Sequence, residues 1–389
     1  MLPLTIAHLF THSEVTRGGA VQGLLLARTL QERGHRVISF LHAPFRRQPP
    51  AESHSHQPAA LSDLDIRWIN MKNPVSYCLF RRWVRSHKVD ILHTHRSLAL
   101  LFAYFSSLGL GHTALVANRG AVTHLPNPLV RYVLRSRRLD RMVVVAQAVK
   151  DHLVQDLSMG PDKISVVYGS FDERKFAIGV DGGRVRRELH LADAAAKLVV
   201  CVAAVEPRKG LEFLVKAAGG VIRNFPAAKF LVVGSIADRA YHRQIQTMIQ
   251  DIGLGRHIQF TGHRSDVAEI LAAADVSVSA SIEEGLAGAL RESLAMERPV
   301  VCTDAGGNAE LIRHGESGWV VPPRDARALA GALLEALRQP AEAQRRARVG
   351  RQIMLRCCTN RVRCDRVEEI YRALYRQRHP PAEQVCRDV

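Results

Sequence analysis

The stretch SIEEGLAGALRES, residues 281–293, sets two carboxylates, Glu284 and Glu292, eight positions apart across small and apolar residues. It follows the strand-like run DVSVSAS. A helix beginning near Leu286 puts Glu284 at its mouth and Glu292 about two turns in, at ~3.6 residues per turn. A capping acid beside the positive end of a helix dipole plus a solvated helix face would explain the pair on its own. Nearby turns add chemistry. VEPRKG presents Arg208, Lys209 and Gly210 just past the strand-like LVVCVAAV, where a lysine can neutralise a diphosphate as a point charge. TDAGGNAELI brings Gly306 and Gly307 to another helix start. Together these turns favour anion binding at helix N-termini over idle loops, and Glu292 could accept hydrogen bonds from a ribose diol, which offers two hydroxyl donors. Near the N-terminus, Gly18 and Gly19 open a first helix after a first strand, but the full G-x-G-x-x-G spacing is absent, so a plain strand–helix turn competes there.

The elements that must hold these residues alternate. LTIAHLF, HRVISFL, DIRWIN, DILHTH, ALVAN, RMVVVA and ISVVYG read as strands in the first half, with amphipathic stretches such as 21–33, 78–87 and 130–139 between them. KLVVCVAAV, AKFLVVG, HIQFTG, DVSVSAS and PVVCTD repeat the scheme, with helices expected near 211–224, 241–252, 266–274 and 287–297. Such alternation predicts parallel sheets covered by helices on both faces: an α/β chain of two doubly wound domains, with ligands at the carboxyl ends of the strands. The expected junction lies around residues 179–183. A first domain is thus expected over 1–178, a second over 184–364, a final amphipathic helix over 365–379 and a disordered tail over 380–389. The Pro/His/Ser-rich stretch 43–60 is expected to be a mobile loop.

At 389 residues the chain has length for two domains. Its formal net charge of +17 favours a polyanionic partner. Residues 1–170 carry net +11 and the remainder +6, so the first half is the more cationic. Seven scattered cysteines match no common zinc spacing; Cys201 and Cys302 sit in apolar runs as small core residues, and a reducing compartment is the simplest inference. No uncharged apolar run is long enough to span a bilayer and MLPLTIAHLF lacks a charged n-region, so a cytoplasmic protein, soluble or peripheral, is expected.

SASIEEGLAGALRESLAMERPVVCTDAGGNAELIRHGESGWVVPPRD resembles the signature segment of retaining, nucleotide-sugar-dependent glycosyltransferases of family four, with the GT-B fold. Glu284 and Glu292 match that family's Glu-x7-Glu and Glu310 its later acid. EPRKG is similar to its phosphate-contacting lysine loop, and FTGHRSDVAEILAAADV, which contains Gly262, to its base-side strand and helix. The likeness covers roughly residues 4 to 375. It implies two facing Rossmann-like domains with a C-terminal helix returning toward the first, a nucleoside-diphosphate-sugar donor on the second domain, and no metal. Carried over by position, Lys209 and Arg208 would meet the diphosphate, Glu292 the ribose and Glu284 the sugar hydroxyls. The N–H groups of Leu286, Ala287 and Gly288 would meet the phosphates, with Gly18 and Gly19 closing over the donor. Three positions depart. Ala204 stands where the family carries a phosphate-binding arginine, and Ala287 where glycine allows closest backbone approach. Arg119 is nearest to the usual N-domain histidine; it cannot act as a base but could bind a phosphate or acidic sugar.

DLD at 63–65 has the Asp-x-Asp form of metal-dependent sugar transferases but lies before a strand of the wrong domain, so a polar turn is expected. His93 and His95 in DILHTHRS end a strand facing the cleft, and without acidic or thiol partners in view, acceptor binding or packing is expected ahead of a metal. LFRRWVRSHK and RYVLRSRRLDR interleave cations with Trp83, Tyr132, Val133 and Leu134 as interfacial helices do, although core-facing helices with solvated cations explain them too. The expected function is retaining transfer of a sugar to a lipid-linked or lipopolysaccharide-type glycan acceptor at the inner face of the cytoplasmic membrane. Two readings of other classes compete: a catalytically silent relative used for binding or assembly, and a nucleic-acid-binding protein. Dispersed cations and an aromatic content of 6% argue against the last.

Overall fold

Every paired strand runs parallel to its neighbours in the computed structural model, which describes residues 2–11, 18–43, 63–122, 125–191 and 196–380. Most of the expected mobile loop and most of the expected tail lie outside them. The chain divides into two units, Met1–Gly169 with Asn360–Val389, and Ser170–Thr359.

In chain order, unit 1 contains β1 (Thr5–Phe10), α1 (Gly18–Glu32), β2 (Arg36–His42), β3 (Asp65–Ile69), α2 (Pro74–Ser86), β4 (Ile91–His95), α3 (Ser97–Ser106), β5 (Ala114–Arg119), α4 (Pro128–Arg135), β6 (Arg141–Val144), α5 (Gln147–Leu157) and β7 (Ile164–Val166). Unit 2 contains α6 (Gly183–Glu188), β8 (Leu198–Val202), α7 (Leu211–Ile222), β9 (Lys229–Val233), α8 (Arg239–Asp251), β10 (Ile258–Gly262), α9 (Val267–Ala273), β11 (Val276–Ser279), α10 (Gly288–Ala295), β12 (Val300–Thr303), α11 (Asn308–Leu311), β13 (Trp319–Val321), α12 (Ala326–Arg338) and α13 (Pro340–Cys357). α14 (Asn360–Arg378) returns to unit 1.

Unit 1 is a seven-stranded sheet ordered β3-β2-β1-β4-β5-β6-β7, and unit 2 a six-stranded sheet ordered β10-β9-β8-β11-β12-β13. In each, the order reverses once, at β1/β4 and at β8/β11, and such a switch opens a crevice at the carboxyl ends of the strands. One face of the unit 1 sheet packs Phe80, Val84, Phe102, Val133 and Leu153 from α2 to α5. The other packs α1 and α14 through Leu26, Leu30, Val367, Tyr371 and Leu374. Arg33 of the turn after α1 pairs with Asp365 and Glu368 at 2.7 and 2.9 Å, fixing α14 at that end.

Capping side chains move several helix starts from where periodicity puts them. Asn73 accepts from the Val75 N–H at 3.0 Å and Pro74 fills the first helical position, so α2 begins four residues ahead of Cys78. Asn127 caps α4 in the same way and Asp238 caps α8. The junction also lies elsewhere than expected. The chain passes between units at Gly169–Ser170 and again at Thr359–Asn360, not around 179–183 and 364. Residues 179–183 belong to unit 2 for a steric and polar reason. Gly182 lies so close to α9 that a Cβ would overlap the Ala273 backbone. Arg186 of α6 then donates to the Ala273 and Ala196 carbonyls at 3.0 and 2.9 Å. Gly182→Ala should therefore lower the melting temperature, at a cost of about 1–3 kcal/mol, whereas the same change at Gly183, which faces only side chains, should leave it nearly unmoved. Equal melting of both variants would contradict a packed rather than linking role for this segment.

Candidate functional site

The unit 2 crevice is flanked by the loop after β8 and the loop after β11, and hydrogen bonds lace the two together. The N–H of Ile282 donates to the Arg208 carbonyl at 2.8 Å. Lys209 Nζ donates to Glu284 Oε1, which also accepts from Ser281 Oγ at 3.0 Å. Arg208 turns to the same carboxylate, 3.7 Å from Oε2, and pairs with Glu206 at 2.5 Å. Both cations of the EPRKG turn thus converge on Glu284, which is only 7% exposed. Arg208 thereby brings a guanidinium to the same carboxylate as Lys209.

A third loop closes the edge. Gly306 adopts φ +59°, and a Cβ there would overlap the Glu284 carbonyl, so only glycine lets the turn after β12 approach this closely. The Gly307 N–H donates to the Gly285 carbonyl at 2.8 Å. Buried Asn308 accepts from the Ala287 N–H at 3.1 Å and donates to the Thr303 carbonyl at 3.2 Å. Thr303 Oγ1 in turn donates to the Ser281 carbonyl at 2.6 Å. The Ala287 N–H is thus engaged by Asn308. The unsatisfied first-turn donors of α10 are those of its helical residues from Gly288 onward.

Glu292 lies in α10, half-buried; its carbonyl accepts from the Met296 N–H at 3.3 Å, and its carboxylate has no hydrogen-bond partner among the described residues. Burial raises its pKa above the ordinary carboxylate value; Arg291 and Lys175 oppose the rise and Asp172 adds to it. Its neighbour Arg291 is buried, donating through Nη1 to the Ser170 carbonyl at 2.5 Å, with its own pKa lowered by burial. Gly262 ends β10 with φ +71°. Neither Arg291 nor Asn308 stands out in sequence, because an arginine on an amphipathic helix and an asparagine after two glycines both read as surface.

The remaining expected residues lie in unit 1. Gly18 and Gly19 open α1, and Arg119 ends β5 with its pKa lowered by burial. Among the described residues, a Cβ at Gly19 would meet nothing within 4 Å. Asp63 and Leu64 form the expected turn, and Asp65 then opens β3 and pairs with Arg67 at 3.0 Å. His93 and His95 are not open to a cleft: they are 1% and 3% exposed, beneath α1 and α14, and buried His8 joins them. Nothing in a linear reading connects His8 to them; the parallel pairing of β1 with β4 does. Cys201 and Cys302 are buried core residues as expected.

Two doubly wound parallel units with a C-terminal helix joined to the first define the GT-B class, and the comparisons agree. Residues 16–175 match the model of Glycosyltransferase Family 4 and residues 196–339 that of the group 1 glycosyl transferases. The chain belongs to the family four, group 1 retaining glycosyltransferases, whose members use nucleotide-sugar donors. EpsD of Bacillus subtilis is 29% identical over 215 residues, 53% of this chain and 55% of EpsD, so the chain spans about half that relative's length. An Escherichia coli UDP-Gal:alpha-D-GlcNAc-diphosphoundecaprenol alpha-1,3-galactosyltransferase is 24% identical over 68% of this chain and 70% of its own. Among solved structures, HepE of Anabaena in complex with UDP-glucose superposes with a TM-score of 0.80 at 18% identity, over 95% of this chain and 99% of HepE.

Proposed function

We propose that this protein is a retaining glycosyltransferase that binds a nucleoside-diphosphate sugar at the β8/β11 crevice of unit 2. Its acceptor is a lipid-linked or lipopolysaccharide-type glycan at the inner face of the cytoplasmic membrane. The observation that carries the reading is the convergence of Lys209, Arg208 and Glu284 beside the N-terminus of α10, with an unpartnered Glu292 further along that helix. Lys209, with Arg208 in support, stabilises the charge of the departing diphosphate, and the α10 donors add their dipole. Glu284 both holds Lys209 and accepts from the sugar hydroxyls, so the ion pair positions the donor as well as the loops. Glu292 accepts from the ribose diol.

The lipid-linked acceptor rests on the Escherichia coli relative's named substrate and on the surface of unit 1. No helix of the described residues is long and apolar enough to cross a membrane. Yet α2, α3 and α4, neighbours on one sheet face, leave Val75, Leu79, Phe105, Leu129 and Tyr132 exposed by 40–63%. The exposed cations Arg82, Arg85, Arg135 and Arg137 sit on or beside the same helices. Apolar side chains among arginines suit an anionic bilayer surface. Four expected members drop out, Val133 and Leu134 because they are buried in the core. Trp83 packs on Phe40 at 4.8 Å, and Arg138 donates to the Ser107 and Thr113 carbonyls at 3.2 and 3.1 Å, with burial lowering its pKa to about 10.

Glu292 offers the cleaner test, because removing either member of the buried Lys209–Glu284 pair also costs about 3–5 kcal/mol of stability. Glu292→Gln should weaken donor binding by at least about tenfold while the melting curve is kept. Because burial raises the Glu292 pKa, the carboxylate is lost earlier on acidification than an ordinary one, so donor affinity should decline as pH falls through that raised value. The decline should vanish in Glu292→Gln, and unchanged affinity in that variant would refute the ribose role. For the membrane, Leu79→Glu with Tyr132→Glu should abolish sedimentation with phosphatidylglycerol vesicles. Sedimentation equal to the parent protein would refute the docking face.

A further inference from the structure

The switch point of unit 1 holds a side-chain cluster that the proposed transfer does not use. By strand alternation, Ile6, His8 and Phe10 of β1 share with Ile91, His93 and His95 of β4 the sheet face that α1 and α14 cover. Toward the carboxyl ends this row changes from aliphatic side chains to imidazoles. His8 and His93 are direct register partners, and all three histidines are at most 3% exposed. One ligating atom from each lies within 4.8 Å of those of the other two. His8 Nδ1 and His95 Nε2 are hydrogen-bonded at 3.0 Å, and the Tyr371 hydroxyl bonds His93 Nδ1. These bonds leave Nε2 of His8 and Nε2 of His93 buried without a hydrogen-bond partner among the described residues. Two such orphans side by side in a native interior call for a ligand.

We propose that His8, His93 and His95 bind one first-row divalent ion of the Zn2+ type, which clamps β1 to β4 beneath α1 and α14. Three imidazole nitrogens without a carboxylate or thiolate select Zn2+, Co2+, Ni2+ or Cu2+ and give Mg2+ and Ca2+ no oxygen ligands. Tyr371 fixes the ring of His93 through Nδ1, which turns Nε2 to the ion, the usual role of a group behind a metal-binding histidine. Phe10 stacks on His95 with centroids 4.4 Å apart, and Gly23 gives the Phe10 ring its space, since a Cβ there would overlap it. Arg363 of α14 is the cation whose charge acts on His8 and His93. It is held by the Gln22 carbonyl at 2.6 Å and by Gln22 Oε1 at 3.2 Å. Its charge opposes a dication, so the site binds below the strength of an uncharged three-histidine set.

The test uses the full chain without an affinity tag, stripped by chelator, in a His54→Ala/His56→Ala background that removes the His-Ser-His stretch as a competing ligand. Co2+ is the probe. The expected result is one Co2+ per chain with the visible absorption of Co2+ bound by three imidazoles and a raised melting temperature. His8→Leu and His93→Leu should each weaken binding by more than about tenfold, and Arg363→Gln should tighten it. No retained Co2+ in the background protein, or equal binding in His8→Leu, would overturn the proposal. Arg363→Gln removes no ligand, so it decides the matter even where the leucine variants fail to fold: unchanged or weaker Co2+ binding there also overturns the site.

Discussion

The Lys209–Glu284 pair joins the loop after β8 to the loop after β11 at the point where the unit 2 sheet reverses its order. A carboxylate 7% exposed is tolerated there only because a lysine, an arginine and the Ser281 hydroxyl surround it. The turn at Gly306 presses against the backbone of the same glutamate, and Asn308 ties the start of α10 to the end of β12. Three loops from β8, β11 and β12 are therefore arranged around one charged group. Rigid placement of this kind is what a transfer reaction needs when positioning and electrostatics supply the catalysis.

Much of this was legible in the sequence. The strand–helix alternation announced two parallel sheets because both periods persist along the chain, and Glu284, Glu292 and Lys209 stood out by spacing and by position past strand ends. What escaped has physical reasons. α3, SLALLFAYFS, is buried along most of its length and carries almost no amphipathic signal, and β13 is only three residues long. The segment 179–183 has linker-like composition, but its glycine serves close packing on α9 rather than flexibility. Helix starts shifted wherever an Asn or Asp side chain captured the first N–H groups.

The polar groups least visible in one dimension are those that tertiary pairing assembles. Arg291 becomes a buried tie to Ser170 at the point where the chain enters unit 2. His8 becomes a neighbour of His93 through parallel pairing of β1 and β4, strands separated by some eighty residues of chain. In both units, then, the reversal of strand order gathers ionisable side chains: open and charged at the β8/β11 crevice, sealed and imidazole-rich at β1/β4. The same topology yields a binding edge in one unit and a closed cluster in the other because α1 and α14 cover the second.

The most direct measurement is thermal shift of the intact protein with UDP, GDP, ADP, CMP and their sugar conjugates in chelator-treated buffer. Selective stabilisation by one nucleoside diphosphate and its sugar conjugate is the predicted result, and it would name the base of the donor. Absence of a shift with every nucleotide would contradict the donor site, make the missing arginine at Ala204 decisive, and leave a catalytically silent member of the family as the reading of the chain.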